Sequence, residues 1–112
     1  VSGPNLNRLL VLEAIQRVAD GAGGFTRSWV QRGKLWAEVL PGSGRDVPGE
    51  EVTLTSVPYR ITVQGAPFAA PSRPVAGQRF REGTRNFSIL AVAERDAEAR
   101  YLTCFAREVR LK

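Results

Sequence analysis

Val57-Pro58-Tyr59-Arg60-Ile61-Thr62-Val63-Gln64 is the stretch on which the fold turns. Val57, Tyr59, Ile61 and Val63 alternate with Pro58, Arg60, Thr62 and Gln64, the period-2 pattern of a strand with one buried face. Towards the N-terminus, Phe25 to Leu40 is also strand material, carrying Trp29, Val30, Leu35, Trp36, Val39 and Leu40, with Gly33 marking a bend or bulge. Pro41-Gly42-Ser43-Gly44 stops that strand. Residues 41–56 form one long connection, functional or mobile by its length, whose tail Val52-Thr53-Leu54-Thr55 has the composition of a short strand. Asp20-Gly21-Ala22-Gly23-Gly24 is a turn cluster. Before it, Leu9 to Val18 reads two ways: Leu10, Leu12 and Ala14 alternate as in a strand, yet the window is rich in helix formers. Residues 1–8 read as a flexible arm.

Towards the C-terminus, Gly65 to Gly77 contains Pro67, Pro71 and Pro74 and cannot pair continuously. Gln78 to Arg81 is a short strand, Glu82-Gly83-Thr84 a turn, Arg85 to Ala93 a strand, Glu94 to Ala99 a polar turn, and Arg100 to Leu111 the last strand. The expectation is a single all-β domain over 1–112. Its body, 9–111, is a small barrel or sandwich of six or seven short, mostly antiparallel strands with one long loop at 41–56.

A chain of 112 residues suits one domain, and its 43% hydrophobic and 24% charged residues are ordinary for a globular protein. The net charge is +5, and 14 of the 16 basic residues are arginine, interspersed with acids throughout. That balance admits an acidic partner or nucleic acid, and equally reflects an arginine-rich composition with no dedicated face. Cys104 is the only cysteine, so no internal disulfide forms, and it reads as an inert buried thiol. Neither end reads as a signal peptide, and no apolar run approaches the roughly 18–20 residues of a membrane-spanning helix.

The chain has no histidine. That removes the commonest general base and metal ligand, together with the Ser–His and Cys–His nucleophile pairs. One cysteine cannot build a thiolate zinc site. Gly21-Ala22-Gly23-Gly24 is followed by Phe25-Thr26-Arg27 and leads into strand, so a hairpin turn explains it better than a phosphate-binding loop. Glu50-Glu51 and the Asp96/Glu98 pair read as solvated loop charges. The expectation is no enzyme, no cofactor and no metal.

What remains is surface. Arg79 and Arg81, two apart on a strand, share a face, with Arg85 just past the turn; they form either a solvated face or a contact for an acidic partner or DNA backbone. Trp29 and Trp36 are core fillers or interface anchors before they are stacking platforms, since aromatic and basic residues do not interleave along one strand.

Trp36-Ala37-Glu38-Val39-Leu40-Pro41-Gly42-Ser43-Gly44-Arg45 resembles the signature of the phage head–tail joining family, the head-closure, stopper and adaptor proteins of long-tailed phages and of gene transfer agents. Ile15-Gln16-Arg17 with Gly23-Gly24-Phe25 and Trp29 resembles that family's first strand and its turn, which favours strand over helix at Leu9 to Gln16. Tyr59 to Val63, Phe87-Ser88-Ile89-Leu90-Ala91-Val92 and Leu102 to Val109 resemble its later strands. The chain departs from the pattern at Pro48-Gly49, which breaks a helix-prone segment, and at Tyr59, where the family often has histidine.

The resemblance implies a non-enzymatic subunit of a homo-oligomeric ring, six-fold in preference to twelve-fold. The ring would stand at the head–tail junction of a phage-like particle assembled in the bacterial cytoplasm. An adaptor or portal ring would lie above and a tail terminator or tail tube below. Double-stranded DNA would pass through the lumen without sequence specificity, and no membrane would be involved. Arg45, Asp46, Glu50 and Glu51 in the long loop are then the candidate channel residues, summing to −2. Trp29, Trp36, Arg79, Arg81 and Arg85 are the candidate subunit or partner contacts. The alternative reading is a free-standing OB-like or Sm-like nucleic-acid-binding barrel, which requires basic and aromatic residues together on one face.

Overall fold

Alternating apolar side chains build six strands: β1 (Arg8–Ala19), β2 (Phe25–Pro41), β3 (Ser56–Gln64), β4 (Arg79–Glu82), β5 (Arg85–Glu94) and β6 (Tyr101–Val109). They are seen in a computed structural model that describes residues 3–42 and 56–109. Every pairing is antiparallel, and the order β1-β2-β3-β6-β5-β4 returns to β1 to close a barrel. The closing seam is short: Val11 opposite Arg81, Leu12 opposite Phe80 and Glu13 opposite Arg79.

The window Leu9 to Val18 is therefore strand, not helix, and the all-β expectation holds among the described residues. The expected bulge near Gly33 is present. Leu12 pairs with Gly33 but Glu13 with Gln31, so Arg32 is the extra residue on β2. A second irregularity on β5 leaves Leu90 outside the ladder between Ile89 and Ala91. The suggested strand at Val52–Thr55 lies outside the described residues.

Inside the barrel, Leu10, Leu12, Ala37, Ile61, Val63, Phe80, Phe87, Ile89, Leu102, Cys104 and Ala106 are buried. The period-2 rule places them: Leu102, Cys104 and Ala106 of β6 share one face, as do Ile61 and Val63 of β3. Cys104 is inert as expected, since burial pushes its thiol pKa up to about 12 and leaves no reactive thiolate near neutral pH.

The two ends of the barrel are closed differently. At one end, Arg8, Glu82, Arg85, Glu108 and the Tyr59 hydroxyl form a polar plug above Phe87. At the other end, the Gly65–Gly77 loop lies across the mouth with Pro74 fully buried. Gly65 fits there because a Cβ would come within 2.2 Å of the Ala99 carbonyl oxygen. Residues Gly42 and Ser56, which flank the long connection, belong to the plug end. From the opposite end the β1–β2 hairpin runs out beyond the barrel, which lengthens the molecule to 56 × 35 × 26 Å.

Candidate assembly surface

The hairpin turn is tied by Asp20, whose Oδ1 accepts the Ala22 and Gly24 amides at 2.8 and 3.1 Å, while Gly21 and Gly23 take positive φ. Those amides are the ones a bound phosphate would need, so the turn reading of this glycine cluster stands. Beyond Glu13 and Gln31 the hairpin pairs only with itself among the described residues: β4 meets β1 at residues 11–13 and β3 meets β2 at residues 37–41. Among the described residues its outer strand edges beyond that point are unpaired, and much of each face is exposed.

Cross-strand pairing sorts the side chains. Ile15 opposite Trp29, Arg17 opposite Arg27 and Ala19 opposite Phe25 occupy one face; Val18 opposite Thr26 and Gln16 opposite Ser28 occupy the other. Phe25 is 60% exposed and Trp29 37%, and Ile15 and Val18 are similarly uncovered. The Arg17 guanidinium lies 4.3 Å from the Phe25 ring centroid and that of Arg79 lies 4.0 Å from Trp29. Aromatic and basic residues thus interleave across strands and, against the expectation from the sequence, also along one face of β2, where Phe25, Arg27 and Trp29 alternate.

A second apolar patch lies on the barrel wall. Trp36, 56% exposed, stands opposite Leu9, and Leu40 lies four residues further along the same face of β2. Between the two patches sits Glu13. It is buried on the outer face because Arg79 Nε and Arg81 Nε donate to its two carboxylate oxygens at 2.7 and 2.9 Å. Arg79 and Arg81 do share a face, as their spacing predicts, but that face is partly neutralised by a residue the sequence does not single out.

Burial, the largest single influence on Glu13, raises its pKa; the hydrogen bonds from Arg81 and Arg79 with their charges outweigh it and hold the carboxyl below its ordinary 4.5. The lowered pKa stabilises the fold above about pH 4.5, and that stabilisation is lost as pH falls through the folded-state value. Glu82, held low chiefly by its hydrogen bond from Arg8, acts in the same direction. The expected outcome is a steepening loss of stability below about pH 4.5, partly flattened in Glu13→Gln; urea unfolding at pH 7 and pH 3 measures it.

Arg85 is placed differently from Arg79 and Arg81. It pairs with Glu82 across a two-residue turn, which turns it to the inner face. There its Nε and Nη2 donate to Glu108 at 2.7 and 3.0 Å and Nη2 reaches the Tyr59 hydroxyl at 3.2 Å. Its pKa is raised, first by the Glu108 hydrogen bond. The channel candidates Arg45, Asp46, Glu50 and Glu51 lie outside the described residues. Among the described residues no group of His, Cys, Asp and Glu side chains has the makings of a metal site, and no helix is long and apolar enough to cross a membrane.

A small closed barrel with a projecting hairpin and two uncovered apolar patches belongs to the class of proteins whose surfaces are completed by assembly. The chain belongs to the phage head completion protein family, whose model matches residues 1–109. It is 60% identical to a chain in the structure of the virion of a native gene transfer agent particle, with 97% of this chain and 100% of that one covered and a TM-score of 0.78. A protein of Shigella flexneri 2a, known from its solution structure, shares the fold at 22% identity over 92% of each chain, with a TM-score of 0.68. Comparison with curated protein sequences finds no match. Family membership gives the chain a structural role in a virion and points away from catalysis.

Proposed function

We propose that the chain is a ring subunit of the head–tail connector of a phage-like particle, seated between an adaptor or portal ring and the tail terminator or tail tube. The observation that carries this reading is the pair of separate apolar patches, one on the hairpin (Ile15, Phe25, Trp29) and one on the barrel wall (Leu9, Trp36, Leu40). A closed ring is built from heterologous contacts, so each subunit must offer two different surfaces. In this reading the hairpin of one subunit reaches across the wall of the next. The 60% identity to a chain of a gene transfer agent virion supports the setting.

Ring symmetry in this proposal is six-fold in preference to twelve-fold. Double-stranded DNA passes through the lumen without sequence specificity. Gating of that channel is assigned to the long connection on composition alone: Arg45, Asp46, Glu50 and Glu51 leave it mildly acidic, which lets DNA slide past.

Changing Ile15 and Phe25 to aspartate together tests the hairpin contact. Both side chains are exposed, so the isolated chain is expected to keep its stability to within about 0.5 kcal/mol. Incorporation into particles, measured by quantitative mass spectrometry, is expected to fall at least about tenfold, as for loss of interface anchors. Normal incorporation would count against the contact. The nucleic-acid-binding alternative predicts instead that Arg17 and Arg27 variants lose a strongly salt-dependent affinity for DNA shown by the free chain.

A further inference from the structure

A pocket of about 410 Å³ opens beside the Gly65–Gly77 loop, at the hairpin end of the barrel. Its lining includes Phe68, Pro71, Val75 and Val92 together with two arginines, Arg32 and Arg73, and no acidic residue. Elsewhere on the barrel Arg8 meets Glu82, Arg79 and Arg81 meet Glu13, and Arg85 meets Glu108, whereas neither pocket arginine meets a carboxylate among the described residues. Arg73 donates to the Ala66 carbonyl oxygen at 2.6 Å and lies 3.9 Å from the Phe68 ring centroid, with no carboxylate beside it among the described residues. Arg32 has no hydrogen-bond or ion-pair partner among them. Phe68 is 77% exposed and Val75 is also uncovered.

Two backbone features hold this arrangement. Arg32 is the bulged residue of β2, displaced from the ladder, and bulges re-aim side chains in this way. Ala69 has φ of 71°, a left-handed conformation that strains a non-glycine residue, and it directly follows the exposed Phe68. The strain, the exposed ring and two guanidiniums that meet no carboxylate among the described residues fall on one concave surface.

We propose that this pocket is a docking site for an acidic peptide segment of a partner protein, with an aspartate or glutamate set against Arg32 and Arg73 and a neighbouring apolar side chain set against Phe68, Val75 and Val92. The commitment to a peptide follows from the lining. Charge complementarity calls for an anion, and the apolar walls call for a hydrophobic group beside it, which a DNA backbone does not carry. The inference stands apart from the connector reading, since it needs only the isolated chain.

Titration of the isotope-labelled full chain, followed by amide NMR, tests it. The probes are a capped hexapeptide with two glutamates flanked by leucine and phenylalanine, and its glutamine counterpart. The acidic peptide is expected to move the amides of Arg32, Phe68 to Ala76 and Val92, and to bind at least about tenfold more tightly than the glutamine peptide. Arg32→Gln, which breaks no hydrogen bond within the described residues, is expected to remove most of that preference while leaving the spectrum otherwise unchanged; Arg32→Gln with Arg73→Gln is expected to abolish it. Equal binding of the two peptides, no binding at millimolar concentration, or shifts confined to other residues would overturn the proposal. So would a short DNA duplex that moves these amides where the acidic peptide does not. Each of these results bears on the pocket alone, whereas failure of the connector reading would show in particle incorporation.

Discussion

Phe87→Ala is expected to destabilise the domain by about 3–5 kcal/mol, the range for emptying a well-packed aromatic site. Phe87 is completely buried and faces Phe80 across the β4–β5 pair. Tyr59 meets it edge-on, with ring centroids 5.2 Å apart and planes at 84°. Above it, the Arg85 guanidinium lies 4.9 Å from the ring centroid. The ring is therefore both the upper layer of the apolar core and the floor of the charged plug, and its loss leaves a cavity that the closed barrel has little freedom to collapse. Thermal unfolding is expected about 15 °C or more below that of the unaltered chain. Phe87→Leu, which retains much of the volume, is expected to cost roughly 1–2 kcal/mol. Equal effects of the two substitutions would mean that the ring is not packed as described.

Arg85→Ala is expected to cost about 2–4 kcal/mol, somewhat below the usual figure for breaking a buried ion pair because the arginine itself is partly exposed. The cost falls on Glu108. That carboxylate, with 6% of its side chain exposed, faces the barrel interior and would lose the two donated hydrogen bonds from Arg85. The Tyr59 hydroxyl and the Phe87 ring lose a neighbour at the same time. Combining Arg85→Met with Glu108→Leu is expected to recover much of the loss, since an apolar pair removes both charges from the barrel end. Urea unfolding of the unaltered chain, Arg85→Met, Glu108→Leu and the double variant measures the coupling. Additive single effects would show that the plug is not a unit.

The strands were legible in the sequence because apolar residues alternate, and burial follows that alternation at Leu102 to Ala106. In β3, Ile61 and Val63 are buried as the pattern predicts, but Pro58 and Thr62 of the opposite face are buried too, and Val57 and Tyr59 are only half-buried. The window Leu9 to Val18 was not decided by pattern alone. Past Leu12 the strand leaves the core, so apolar residues no longer mark a single buried face. Glu13 could not be found from its neighbours: only the short β1–β4 seam brings Arg79 and Arg81 over it, across more than 60 positions of sequence.

Arg85 was grouped with Arg79 and Arg81 on proximity. The signal that separates it was present in Gly83-Thr84, because a two-residue turn pairs Arg85 with Glu82 and so sets it on the face of Phe80, opposite Arg79 and Arg81. Of the hairpin residues now in the candidate surface, Trp29 stood out for its type. Ile15 and Phe25 gain a role in that surface only because the hairpin outruns the barrel and leaves both exposed.

The central claim is that this chain completes the junction between head and tail. Electron microscopy of particles from cells lacking its gene tests it most directly. The expected images show DNA-filled heads and separate tails that do not join, with joining restored when the chain is supplied from a plasmid. Complete tailed particles in ordinary numbers without the chain would contradict the account.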